Sequence, residues 1–117
     1  MDEGAAGDAD GWTTVVAAGS LADGKPIRVR LGKTDVMVYR TGGRLFAISD
    51  RCTHQGAPLH LGRVRSFGSI VVATCPAHGS QFRLDDGGVM RGPATAPVAS
   101  FDARIEGEDV QLRPRPA

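Results

Sequence analysis

From Trp12 onward the chain reads as short apolar or alternating runs separated by turn-forming residues, the pattern of strands. Trp12 to Ala17 is β-branched, and Ile27-Arg28-Val29-Arg30-Leu31 alternates apolar with charged positions. Val36-Met37-Val38-Tyr39 continues after a Gly-Lys-Thr-Asp turn. Thr41-Gly42-Gly43-Arg44 then offers the positive φ angles of a tight hairpin before Leu45-Phe46-Ala47-Ile48 returns. These runs predict an antiparallel meander that buries Val29, Leu31, Val36, Val38 and Ile48, or their neighbours on the other face.

Further along, Ser69 to Thr74 is the most apolar run and leads straight into Cys75. Phe82-Arg83-Leu84, an Asp85-Asp86-Gly87-Gly88 turn and Val89-Met90 follow. After Pro97 the pattern resumes with Val98 to Ile105, a Glu106 to Asp109 turn and Val110 to Leu112. The end, Arg113-Pro114-Arg115-Pro116-Ala117, is expected outside any ladder because its prolines lack an amide donor. Sixteen glycines and seven prolines agree with many short strands, and an aromatic content of 5% leaves the core to Val, Leu, Ile and Ala. A chain of 117 residues is one domain.

Residues 1–10 are acidic and rich in Gly and Ala, so they are expected to be a disordered tail rather than a signal or transit peptide. No apolar run approaches the roughly 20 residues that cross a bilayer, and a soluble, cytoplasmic protein is expected. Asp2, Glu3, Asp8 and Asp10 lie in that tail. The rest of the chain sets 14 basic side chains against 9 acidic ones. Arg51, Arg63, Arg65, Arg83 and Arg91 form either a collar that steers an acidic partner or a plain solvated surface. Nucleic-acid binding is not supported, since the charge is modest and aromatics are not interleaved with it.

The chemistry sits in two short segments, Cys52-Thr53-His54 and Cys75-Pro76-Ala77-His78, which hold both cysteines and two of the three histidines. A disulfide between Cys52 and Cys75 is one reading, suited to secreted proteins. A second is a tetrahedral zinc, although zinc motifs usually pair like ligands with at least two residues between neighbours. In the third, one iron takes Cys52 and Cys75 while another takes His54 and His78, the mixed ligation of a Rieske [2Fe-2S] centre.

Over Arg51-Cys52-Thr53-His54-Gln55-Gly56-Ala57-Pro58-Leu59, Cys75-Pro76-Ala77-His78-Gly79-Ser80-Gln81-Phe82 and Gly92-Pro93-Ala94 the chain resembles the Rieske iron-sulfur proteins, and among them the small soluble Rieske-type ferredoxins. The likeness extends more weakly from Trp12 to about Leu112. It implies an all-β fold, an antiparallel β-sandwich or barrel over 11–113 with a small cluster-binding subdomain inserted over about 49–94, and a tail at 114–117. It also implies one [2Fe-2S] cluster held by Cys52, His54, Cys75 and His78. Gly56, Gly79, Ser80 and Pro93 would stand behind these ligands. Gly56 and Gly79 would turn amides toward the cluster, Pro76 would stiffen the second loop, and Gly92-Pro93 would belong to a third, covering loop.

Two thiolates and two neutral imidazoles bring an oxidised [2Fe-2S] core to neutrality, whereas four thiolates leave it doubly negative. Rieske centres therefore span roughly −150 to +300 mV against about −400 mV for plant-type clusters. High-potential members add a disulfide, a serine and a tyrosine. By the resemblance those positions hold Ala57 or a neighbour, Ala77, Ser80 and Phe82, so only the serine is kept and a potential in roughly the lower third of the span is expected.

With His54 and His78 assigned, only His60 remains, so the chain cannot build the two-histidine, one-carboxylate iron site of an oxygenase. No glycine-rich nucleotide fingerprint is present either. The expected role is a monomeric one-electron carrier, not an enzyme, between a flavin-dependent reductase and a terminal oxygenase that dock near the His54 and His78 edge. The alternative is a small subunit of a nitrite-reductase-like complex. His60 reads as structural or surface, and Trp12 as a core or edge anchor.

Overall fold

The computed structural model describes residues 11–115, so the acidic tail expected over 1–10 and the last two residues lie outside it. The alternating runs pair as a meander: β2 (Ile27–Leu31), β3 (Thr34–Thr41) and β4 (Arg44–Ser49) are successively antiparallel. Gly42 and Gly43, at φ 56° and 79°, make the two-residue turn whose twist matches that of the flanking strands. The closing hairpin, β9 (Ser100–Glu106) and β10 (Asp109–Pro114), pairs with β4 through Ala47 opposite Phe101 and Ile48 opposite Ser100. Strand β1 (Thr13–Ala17) joins β10, giving a six-stranded antiparallel sheet in the order β1-β10-β9-β4-β3-β2. Its two edge strands, β1 and β2, approach one another and nearly close a barrel.

Between β4 and β9 the chain builds a second sheet from β5 (Arg63–Phe67), β6 (Ile70–Thr74), β7 (Gln81–Arg83) and β8 (Val89–Arg91), paired in sequence order and antiparallel throughout. It covers one face of the large sheet, so β3 and β4 are buried on both faces. Val29, Val36, Val38 and Ala47 point into the barrel with Phe101, Val110 and Leu112. Met37, Tyr39, Phe46 and Ile48 meet Val71, Ala73, Phe82 and Leu84 between the sheets. The sequence pattern anticipated one buried face of the meander. Covering by a second sheet is why both faces are apolar, and Leu31, at the end of an edge strand, is only half-buried.

Strand β5 was not anticipated, because Val64 alone of its residues packs on the core while Arg63, Arg65 and Phe67 are exposed. Arginines on such an edge strand also discourage pairing with another chain. Proline does not stop the final ladder where expected: β10 runs through Pro114, opposite Phe101, and a proline at the last position costs it at most one donor. Trp12 anchors β1 from between two guanidiniums, Arg104 at 4.2 Å and Arg113 at 4.5 Å from its ring. Arg113 and Arg115 also hold Asp102, at 2.9 and 2.7 Å, while Arg115 donates to the Asp85 carbonyl in the β7–β8 turn and so ties the two sheets together.

The hydrogen bonds from Arg115 and then Arg113 hold the Asp102 carboxyl below the usual carboxylate range. A lowered folded-state value adds stability that is complete above the unfolded value, near pH 4, and is lost as pH falls through the folded one. The urea midpoint is therefore expected to hold steady from pH 7 to about 4 and fall below it. Asp102→Asn should lower the neutral midpoint and flatten that acid limb, and an unchanged limb would contradict the assignment. Gly62 offers a second check: a Cβ there would lie 1.9 Å from the Thr74 carbonyl oxygen, one residue before Cys75. Gly62→Ala is expected to cost about 1–3 kcal/mol in urea unfolding, as overpacked sites do.

Candidate metal centre

The two cysteine-histidine segments fold on one hydrogen-bond frame. In the first, the Cys52 amide donates to the Ala57 carbonyl at 2.9 Å and the Gly56 amide donates back to the Cys52 carbonyl at 2.7 Å. In the second, the Cys75 amide donates to the Ser80 carbonyl at 2.7 Å and the Gly79 amide to the Cys75 carbonyl at 3.1 Å. Each cysteine thus begins a loop that closes four residues later on a glycine in the left-handed region, at φ 76° for Gly56 and 81° for Gly79. The left-handed backbone anticipated for these glycines is present, but their own amides close the loops. The amide that faces a candidate ligand is that of His54, which donates to the Cys52 sulfur at 3.4 Å.

Both thiols are free and buried, at 2% and 3% exposure, which removes the disulfide reading. His54 and His78 are exposed, with ring centres 5.1 Å apart and ring planes at 88°. The loops therefore divide the donors by depth, sulfur inside and imidazole outside. A metal about 2.1 Å from a ring nitrogen lies about 3 Å from the ring centre, so two rings on one tetrahedral ion stand about 5 Å apart. The spacing of the histidine pair would suit one metal ion, and the two buried thiols would offer soft donors to a second. A single zinc would need all four groups around one point, yet among the described residues no three His, Cys, Asp or Glu are placed to hold one ion.

A third segment latches the two loops together. Thr53 Oγ1 donates to the Ala96 carbonyl at 2.6 Å, and the Ala94 amide donates to Ser80 Oγ at 2.9 Å. Pro93, exposed and preceded by a cis bond, comes just before these contacts, next to buried Ala94. Because the wholly buried Ser80 hydroxyl accepts from Ala94, its own proton stays available for another acceptor. Phe82 lies deep between the sheets.

Around the loops Arg51, Arg63, Arg65 and Arg91 are exposed and unpaired with any acid among the described residues. Arg83 differs, because Asp86 at 3.1 Å neutralises it and is itself held below the usual carboxylate range by that hydrogen bond. Of the five arginines, four are thus without an acidic partner among the described residues. Two contributors to the loop frame escaped sequence reading, the Thr53 hydroxyl and Gly62. Thr53 was visible inside the motif, whereas nothing local marks Gly62, whose constraint is the carbonyl of Thr74.

The description that matches residues 11–102 is the Rieske [2Fe-2S] domain. The chain belongs to the Rieske [2Fe-2S] family. Membership brings one [2Fe-2S] cluster per chain, and the donor set just described fits it. The chain is 35% identical over 99 residues to ferredoxin CarAc of Metapseudomonas resinovorans, covering 83% of itself and 89% of that protein. It also resembles the ferredoxin of carbazole 1,9a-dioxygenase from Nocardioides aromaticivorans IC177, with TM-score 0.80, 27% identity and 89% and 98% of the two chains covered. A complex of reduced oxygenase and oxidised ferredoxin in carbazole 1,9a-dioxygenase contains a chain with TM-score 0.76 and 32% identity, covering 88% and 93%. Against the terminal oxygenase component CarAa of a Sphingomonas species it is 37% identical over 76 residues but spans only 20% of the length. The match thus takes in most of the ferredoxin component and one fifth of the oxygenase component.

Ser80→Ala leaves the Ala94 amide buried without an acceptor. It is expected to lower stability by about 1–3 kcal/mol in urea unfolding and to speed amide exchange at Ala94. Unchanged exchange there would show that the latch does not form.

Proposed function

We propose that the chain is a low-potential one-electron carrier whose cluster is held by Cys52 and Cys75 on one iron and by His54 and His78 on the other. Electrons would pass from a flavin-dependent reductase to a terminal oxygenase. The observation that carries this reading is the division by depth: the thiols are buried, while the two imidazoles stand side by side at the surface. When bound, the cluster supplies a couple that takes up and releases one electron. Around it, the Gly56 and Gly79 turns fix the loop ends, and the third loop, latched through Thr53 and Ser80, limits water at the buried side. His54 and His78 leave an edge at which a partner can dock, and Arg51, Arg63, Arg65 and Arg91 favour an acidic one.

The cluster-binding unit in this reading comprises about 49–94 within a domain over 11–113. A monomer suits a carrier that meets two partners in turn at one edge, and the cytoplasm is its proposed location. Phe82, buried where high-potential members place a hydrogen-bonding tyrosine, supports a midpoint in roughly the lower third of the −150 to +300 mV span.

Each of Cys52→Ser, His54→Ala, Cys75→Ser and His78→Ala is expected to reduce bound iron from about two per chain to a small fraction. A variant that keeps both irons would remove that residue from the ligand set. A redox titration that places the midpoint at the upper end of the span would refute the low-potential assignment. The carrier role is tested with NADH, a flavoprotein reductase of a Rieske dioxygenase system and cytochrome c. Adding the protein should raise cytochrome c reduction at least several-fold. No stimulation, together with tight co-purification on a large catalytic subunit, would reassign it as a subunit of a nitrite-reductase-like complex.

A further inference from the structure

The two ligand hairpins share a frame at their tips but differ below it. Under the second loop the β6–β7 ladder continues through Thr74 opposite Gln81, Ala73 opposite Phe82 and Val72 opposite Arg83. Under the first loop there is one further bridge, Arg51 to Pro58, and then a single bond from the Leu59 amide to the Asp50 carbonyl at 2.8 Å. Beyond it the chain leaves in a single 3-10 turn, Leu59–Leu61, so no strand stabilises this hairpin from below.

Asp50 and His60 occupy the place where that ladder ends. The Asp50 side chain is 2% exposed, and both its oxygens are taken by one residue. Oδ1 accepts the His60 amide at 2.7 Å, and Oδ2 lies 2.7 Å from the His60 ring Nδ1. On its other side, the Asp50 amide donates to the Asp35 carbonyl at 2.9 Å, at the start of β3. The pair therefore joins the two ends of the segment that carries Cys52 and His54 and ties them to the large sheet. A buried carboxylate held through two bonds to one residue fixes both distance and angle, and losing either bond leaves a buried polar group unpaired.

We propose that Asp50 and His60 are positioning residues of the metal centre, a clamp that does for the first ligand loop what the β6–β7 ladder does for the second. This rests on the assignment of Cys52 and His54 as ligands. The clamp acts through shape. Asparagine at 50 can accept the His60 amide and donate to a ring protonated on Nε2, so it preserves the arrangement, whereas alanine at 60 removes the ring and half of the clamp.

The test compares the intact cluster-loaded protein with His60→Ala and Asp50→Asn, reading the rate of iron loss to excess EDTA and the EPR g-values after dithionite reduction. His60→Ala is expected to lose iron about 10–100-fold faster, the range for outer partners of metal ligands, with shifted or broadened g-values, while Asp50→Asn stays within about twofold of the parent. Parent-like behaviour of His60→Ala in both readouts would overturn the proposal. So would faster iron loss with unchanged g-values, since that marks a general loosening of the fold. If His60→Ala does not fold, His60→Phe, which keeps a ring but has no Nδ1 to meet Asp50 Oδ2, decides: at least about tenfold faster iron loss with shifted g-values supports the clamp, and parent-like behaviour overturns it. A parent sample with no cluster signal overturns the ligand assignment itself, before any variant is compared.

Discussion

A binuclear site divided between two loops has one overriding requirement: the loops must not move relative to each other. Cys52 and His54 belong to one hairpin, Cys75 and His78 to another, and in the proposed ligation each iron takes one donor from each. Any shear between the hairpins would stretch both irons' coordination at once. The architecture answers this in layers. The core between the sheets, where Met37 and Ile48 meet Val71, Ala73 and Phe82, sets the hairpins on a common base. Above it, Thr53 and Ser80 latch both loops to the segment around Pro93.

The same constraint accounts for the insertion of the small sheet into one face of the large one. Strands β3 and β4 serve two cores, so the barrel and the ligand-bearing sheet share a common wall and cannot drift apart without exposing apolar surface on both sides. Gly62 permits the chain leaving the first hairpin to lie directly against the Thr74 carbonyl, next to Cys75. The proximity of the two loops is thus built from backbone contact as well as from side chains. Depth divides the donors, with the thiols buried and the imidazoles exposed, and in the proposed reading the imidazole side is where an electron would leave.

The ligand candidates were legible because two cysteine-histidine pairs in two short segments leave few chemical alternatives, and the family likeness rests on the same residues. Most strands were legible too, since Ile27 to Leu31 and Val36 to Tyr39 carry the strand pattern within themselves. What escaped depends on partners distant in the chain. Whether both faces of β3 are buried is decided by residues 71–84, and β5 shows only Val64 to the core. One miss was local instead: the Arg83 charge is cancelled by Asp86 three residues later, which counting arginines alone overlooks. Asp50 and His60 stand ten residues apart with no periodicity to connect them, and only the hairpin brings them to 2.7 Å.

The central claim, mixed ligation by two cysteines and two histidines, is tested most directly by the Mössbauer spectrum of the oxidised protein loaded with 57Fe. Two doublets of equal area are expected, because an iron with two nitrogen donors is harder and less covalent than one with sulfur alone. A single doublet, or a protein that takes up zinc in place of iron, would contradict the account.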